Sequence, residues 1–100
     1  MIVILGSVEV LEGQMAPALK LSLEHVHRSR TEPGCISHAV HVDCENPNRL
    51  VFVEEWADDA SLQAHFKVPA SRQFVAALSQ CAARHPEMAL YQAEKVRGLA

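Results

Sequence analysis

Both faces of the first strand are apolar, and this limits the possible folds more than any other feature of the sequence. Ile2 to Leu11 is rich in β-branched residues and closes at Glu12-Gly13, a turn signal. By strand alternation Ile2, Ile4, Val8 and Val10 point one way while Val3, Leu5 and Leu11 point the other. Helices packed on a single sheet cover one face. The other would expose an apolar patch of roughly several hundred Å² unless a second subunit covered it. The expected arrangement is a homodimer packed sheet to sheet.

The rest of the chain supplies the remaining elements. From Gln14 to Arg30 the apolar residues Met15, Leu19, Leu23 and Val26 recur at helical spacing, with Pro17 tolerated only in the first turn and Pro33-Gly34 as the stop. Cys35 to Asp43 alternates, with Ile36, His38, Val40 and Val42 on the apolar parity, and Asn46-Pro47-Asn48 reads as the hairpin turn. Leu50 to Trp56 is a third strand. Asp58 or Asp59 then caps a helix carrying Leu62, His65 and Phe66, which Pro69 interrupts. A further helix carries Phe74, Leu78 and Cys81 and ends before His85-Pro86, and Met88 to Val96 alternates as the last strand. The order βαββαβ is the split βαβ, or ferredoxin-like, α+β plan: an antiparallel four-stranded sheet with its helices on one face.

At 100 residues the chain has room for one domain, read as 1–100. With 49% hydrophobic and 21% charged residues it is too apolar for disorder. A net charge of −3 and the lack of a cationic run argue against a nucleic-acid partner. Cys35, Cys44 and Cys81 form no CxxC pair, which suits reduced thiols in a cytoplasm. The opening run Met1 to Leu5 is too short for a membrane span and lacks a basic start and cleavage site, so no membrane association is expected.

The stretch from Val51 to Phe74 carries the most information. It contains Glu54-x-Trp56 at a strand end and His65 nine residues after the Trp, while Glu32-Pro33-Gly34-Cys35 precedes the second strand. In this order the motifs resemble the antibiotic biosynthesis monooxygenase family, a dimeric α+β barrel group. The resemblance covers essentially the whole chain. It implies activities such as cofactor-free oxygenation of polyketide anthrones and quinols, haem degradation, or isomerisation of a phosphorylated signalling sugar.

Several side chains are candidates for the chemistry. An imidazole with an ordinary pKa of about 6.5 can take a proton near neutrality, so His65 is the first candidate base. The alternative is that it closes the apolar face of its helix. Glu54 shares a strand face with Phe52 and Trp56 and is expected to orient His65, or else to pair with Arg84 or Arg97. Trp56, Phe66 and Phe74 are read as ring-packing walls of a substrate pocket. His38 lies on the apolar parity of its strand and is a further candidate for touching ligand, with His25 behind it; either could equally be a satisfied core histidine.

No metal is expected. His38-x-x-His41 puts its rings on opposite strand faces, His25-x-His27 is splayed around a helix, and the cysteines are isolated. No glycine loop for a nucleotide or flavin is present among the four glycines. Haem is disfavoured because the stretch that holds the iron-binding His in the haem-degrading relatives reads Arg72-Gln73-Phe74-Val75. Their characteristic Trp is replaced by His65, and their strand-one Asn by Gly6 or Ser7.

The resemblance and the residues together imply a cofactor-independent monooxygenase of a small aromatic hydroquinone or polyketide, with His65 and Glu54 as the catalytic pair. The alternatives are an isomerase of a small phosphorylated ketone, with Lys67 and Arg72 as the nearby cations, and a non-catalytic binding or dimerisation module.

Overall fold

The computed structural model describes residues 1–99. It runs β1 (Ile2–Glu9), α1 (Met15–Ser29), β2 (Cys35–Asp43), β3 (Asn46–Trp56), α2 (Asp59–Lys67), α3 (Pro69–Cys81) and β4 (Glu87–Gln92). The strands form one antiparallel sheet in the order β2-β3-β1-β4. This is the expected ferredoxin-like α+β plan, with its second helix divided in two: Pro69 starts α3 directly after Val68, whose extended backbone breaks the chain direction. No helix among the described residues is long and apolar enough to cross a membrane.

Sheet register explains where the core sits. Ile2, Ile4 and Val8 of β1 stand opposite Trp56, Glu54 and Leu50 of β3, and all six are buried beneath the helices. Two apolar clusters result. One gathers Val8, Val10, Leu50, Phe52, Leu78 and Cys81; the other gathers Ile2, Ile4, Trp56 and Leu62. The opposite face of β1 presents Val3 and Leu5, with Leu5 paired to Val53 and to Ala89, and Leu5 is 47% exposed. The sheet therefore has the second apolar face that its alternation predicted.

Three boundaries and one strand interior differ from the sequence reading, each for a local reason. The hairpin turn lies at Cys44-Glu45, closed by the Glu45 amide donating to Asp43 Oδ1, so Asn46-Pro47-Asn48 opens β3. Asn46 can enter the strand because its side chain donates to Glu9 and accepts from the Asn48 amide. β1 stops at Glu9, leaving Val10 in an isolated bridge to Ala82 and Leu11 in the turn beyond. β4 ends at Gln92, and the pairing with β1 closes one residue further on, where Met1 and Ala93 exchange backbone hydrogen bonds. In β2 a bulge lies between Cys35 and Ser37, so Cys35 and His38 both face the helices while Ile36, expected inside, is exposed.

The buried stripe of α1 also differs. Ala18, Ser22, His25, Val26 and Ser29 face inward, while Leu23, expected there, is 41% exposed. The stripe is built of small and polar residues because α1 packs closely against α3 and β2. The two buried hydroxyls are satisfied within the helix, Ser22 donating to the Ala18 carbonyl and Ser29 to the His25 carbonyl.

Candidate functional site

Beside the apolar clusters the sheet carries a polar pair: Glu54 of β3 and His38 of β2 lie side by side, with Ile4 of β1 on the other flank of Glu54. Over this pair α1 lowers His25 and α2 lowers His65. α2 is fixed at its start by Asp58, whose carboxylate accepts the Ser61 amide at 2.8 Å, and this sets the rotation that turns Leu62 and His65 inward. His25, His38 and His65 are all buried, and their ring centroids are 5.2 to 5.8 Å apart.

Each imidazole has its own polar neighbours. His65 Nδ1 lies 2.7 Å from Glu32 Oε1, so Nδ1 carries the proton that it donates and Nε2 keeps a free lone pair. His25 Nδ1 accepts from the Arg28 guanidinium at 2.6 Å. His38 Nε2 is 3.1 Å from Glu54 Oε1, off the line of a good hydrogen bond, and its Nδ1 is buried without a partner. Glu54 Oε1 also accepts the Trp56 indole N–H at 3.0 Å.

This corrects the pairing expected from sequence. Glu54 orients Trp56 and faces His38, whereas the carboxylate that holds His65 is Glu32 in the loop after α1. Neither Arg84 nor Arg97 pairs with Glu54; Arg84 lies beside Glu9 instead. Glu32 stood in the quoted Glu-Pro-Gly-Cys motif, but its partner lies 33 residues further along the chain, and no local spacing connects the two.

Burial drives the electrostatics. His25 is held neutral, its pKa pushed down to about 3 by burial first, then by His38, His65 and Arg28 nearby. Burial pushes the Glu54 carboxyl up, but His38, the Trp56 N–H and His65 together outweigh it, and the group stays below the usual carboxylate range. Cys35 is shifted up by burial and by the charges of Glu54 and Glu32.

A cavity of about 670 Å³ opens beside the cluster, between α3 and the β1–β4 edge of the sheet. That volume is ordinary for a site that takes a small organic ligand. Of the residues singled out in the sequence, His65, Glu54, Phe66 and Phe74 line it. Trp56, expected as a wall, has no exposed surface and packs behind His65 with ring centroids 4.5 Å apart. His38 likewise sits behind the lining. His25, a minor candidate in the sequence, does line the cavity and stacks on Phe74 with centroids 4.0 Å apart and planes 9° from parallel.

Three histidines from different elements converge, which the spacings His38-x-x-His41 and His25-x-His27 did not show. His25, His38 and His65 each bring one ring nitrogen to within 4.8 Å of the others. They come from α1, β2 and α2, so inspection of spacing within single elements could not have found them.

A ferredoxin-like sheet with a histidine-rich apolar cavity under its helices defines a small α+β ligand-binding or catalytic domain. The comparisons narrow this class. A model of the family described as antibiotic biosynthesis monooxygenase matches residues 1–77, and the chain belongs to that family. An uncharacterized protein of Synechocystis sp. is 31% identical over 98 residues, which span 98% of this chain and 67% of the relative. A conserved protein of Methanosarcina mazei superposes with a TM-score of 0.89 at 26% identity, covering 93% of this chain and 92% of its own. A crystal structure described as an antibiotic biosynthesis monooxygenase gives 0.88 at 25% identity, covering 95% and 100%. The family supports a monooxygenase-like function and leaves the substrate unspecified.

Proposed function

We propose that this protein is a cofactor-independent monooxygenase of a small aromatic hydroquinone or polyketide, acting as a homodimer in the cytoplasm. The carrying observation is His65: its Nδ1 is held by Glu32 at 2.7 Å, and its ring forms part of the wall of an apolar cavity of about 670 Å³. A base must be oriented and within reach of its proton, and this ring is fixed with Nε2 free. Phe66 and Phe74 supply the apolar surface that a planar ring would contact.

In this reading the phenolic proton passes to His65 Nε2. The electron-rich anion gives one electron to O₂, and the two radicals join to form a carbon–oxygen bond. The peroxide anion takes the proton back from His65, and the hydroperoxide then loses water as its carbon gives up the C–H proton and the O–O bond breaks, leaving one oxygen atom in the product carbonyl and the other in water. The substrate supplies all the electrons. The protein supplies the base, the orientation and a dry cavity.

The test is oxygen uptake with a panel of hydroquinols. The wild type should consume one O₂ per product formed, and His65→Ala should lower kcat by about 10²–10⁴-fold while remaining folded. Full activity of His65→Ala would place the base elsewhere and end this mechanism.

One observation favours a second reading. Ser71 and Arg72, in the first turn of α3, line the same cavity, and a cation beside a helix N-terminus suits a phosphate. An isomerase of a small phosphorylated ketone would use His65 to move a proton without O₂. Anaerobic turnover of such a ketone would favour this reading over the first.

A further inference from the structure

We propose that His25, His38 and His65 form a binding site for one divalent transition-metal ion of the zinc, cobalt and copper class, with an open coordination position facing the cavity. The inference rests on the three rings and their neighbours and is independent of the oxygenase reading.

Four observations carry it. The first is spacing. One nitrogen per ring lies within 4.8 Å of the others, and the centroids are 5.2, 5.3 and 5.8 Å apart. Three imidazoles on a tetrahedral ion at about 2.1 Å have centroids about 5 Å apart, so small ring rotations complete the site. The planes are inclined at 77°, 52° and 60°, as for edges that converge on a point rather than faces that stack.

The second observation is the set of supporting carboxylates. A histidine that ligates a metal commonly donates its other N–H to a carboxylate, which fixes the tautomer. Glu32 stands at His65 Nδ1 and Glu54 beside His38 Nε2. That arrangement leaves the opposite nitrogen of each ring as the donor.

The third is an unsatisfied ring. Both His38 nitrogens are buried with no well-aligned hydrogen-bond partner, Nε2 having Glu54 beside it and Nδ1 having nothing, an expensive arrangement for a polar ring unless something else satisfies it. The fourth is charge. The cluster has the carboxylates of Glu32 and Glu54 against the single guanidinium of Arg28, so a cation is attracted.

His25 must change tautomer on loading. Arg28 now donates to its Nδ1, which leaves the ring proton on Nε2. Arg28 has an alternative partner at hand: its Nε lies 3.9 Å from Glu32 Oε2, and both atoms are buried and unpaired. Turning Arg28 toward Glu32 would free Nδ1 to carry the proton and release Nε2 for the ion. His25 and His65 line the cavity, so the remaining coordination position faces it. An ion there would also occupy the lone pair of His65 and so act as an inhibitor of any reaction that uses it as a base.

The experiment titrates metal-free protein with Co²⁺ and follows visible absorption together with the fluorescence of Trp56, the single tryptophan. The site predicts one Co²⁺ per chain, the intense bands of a low-coordinate ion, and quenching of Trp56, whose ring lies 4.5 Å from that of His65. One equivalent of Zn²⁺ should erase the bands. His25→Gln and His38→Gln should each weaken binding at least 100-fold, while the exposed His27→Gln and His41→Gln should bind as the wild type does. Wild-type protein that shows only the pale colour of hydrated Co²⁺ and unquenched Trp56 would overturn the site without any variant. So would undiminished binding by the two cluster variants.

Discussion

Glu32 Oε1 lies 2.7 Å from His65 Nδ1, joining the loop after α1 to the last turn of α2. The carboxylate fixes the tautomer of the ring and aims its lone pair, a positioning role exerted through His65. Glu32→Gln should therefore lower kcat by roughly 10²-fold with KM little changed. Glu54→Gln should do less, since Glu54 does not touch His65. Steady-state kinetics of both variants decide this, and the reverse ranking would show that Glu54 positions the base.

Acid should destabilise the fold in a window set by His25. Its pKa is about 3 in the folded protein against 6.5 when exposed, so between these values the unfolded chain binds a proton that the folded chain does not. Stability is then fully present above about pH 6.5 and is lost as the pH falls, amounting to about 2 kcal/mol by pH 5. Glu54, with its pKa lowered in the folded state, contributes with the same sign at more acidic pH. Urea midpoints measured from pH 7.5 to 4.5 should fall steeply for the wild type and less steeply for His25→Gln. Parallel slopes would refute the assignment.

Gly34 should resist any side chain. Its φ is +82°, and a Cβ there would overlap Ser61 Cβ and Oγ at the start of α2. Gly34→Ala should cost at least about 2 kcal/mol from backbone strain and displacement of α2. Adding Ser61→Gly should recover only the part due to the clash. Thermal melts of the single and double variants separate the two contributions.

The homodimer proposed here would bury Val3 and Leu5 on the face of the sheet away from the helices. Leu5→Asp should leave the helix-side core intact and shift sedimentation from dimer toward monomer at micromolar concentration. A variant that sediments as an unchanged dimer would move the interface elsewhere.

Alternation and helical spacing made the fold legible because they record which side of each element is apolar. They located β1 and β3 within a few residues and placed His65 and Phe74 on inward positions. They misread α1, where the close approach of α3 and β2 requires small and hydroxyl-bearing residues rather than the leucines a hydrophobic stripe suggests. The site was legible only in part. Glu54 shows by strand parity, Phe66 and Phe74 by type, and His65 through its spacing in the motif that resembles the family, but the Glu32–His65 pair and the convergence of three imidazoles depend on contacts between elements distant in sequence.

The bulge at Ile36 works as a phase adjuster between two frames that are fixed independently. The loop frame is pinned by Gly34 beneath Ser61 and by the Gly34 carbonyl accepting the Ala57 amide. The sheet frame is pinned by Val40 opposite Phe52 and Val42 opposite Leu50. One extra residue between them lets Cys35 and His38 face the same side, which strict alternation forbids. Deleting Ile36 would close the bulge into a regular ladder, with Cys35, Ser37 and His38 keeping Trp56, Glu55 and Glu54 as their partners. A chain of this architecture could thus shed one codon from β2 and keep all three imidazoles at its centre, whereas a deletion between His38 and Val42 has no spare residue to absorb it.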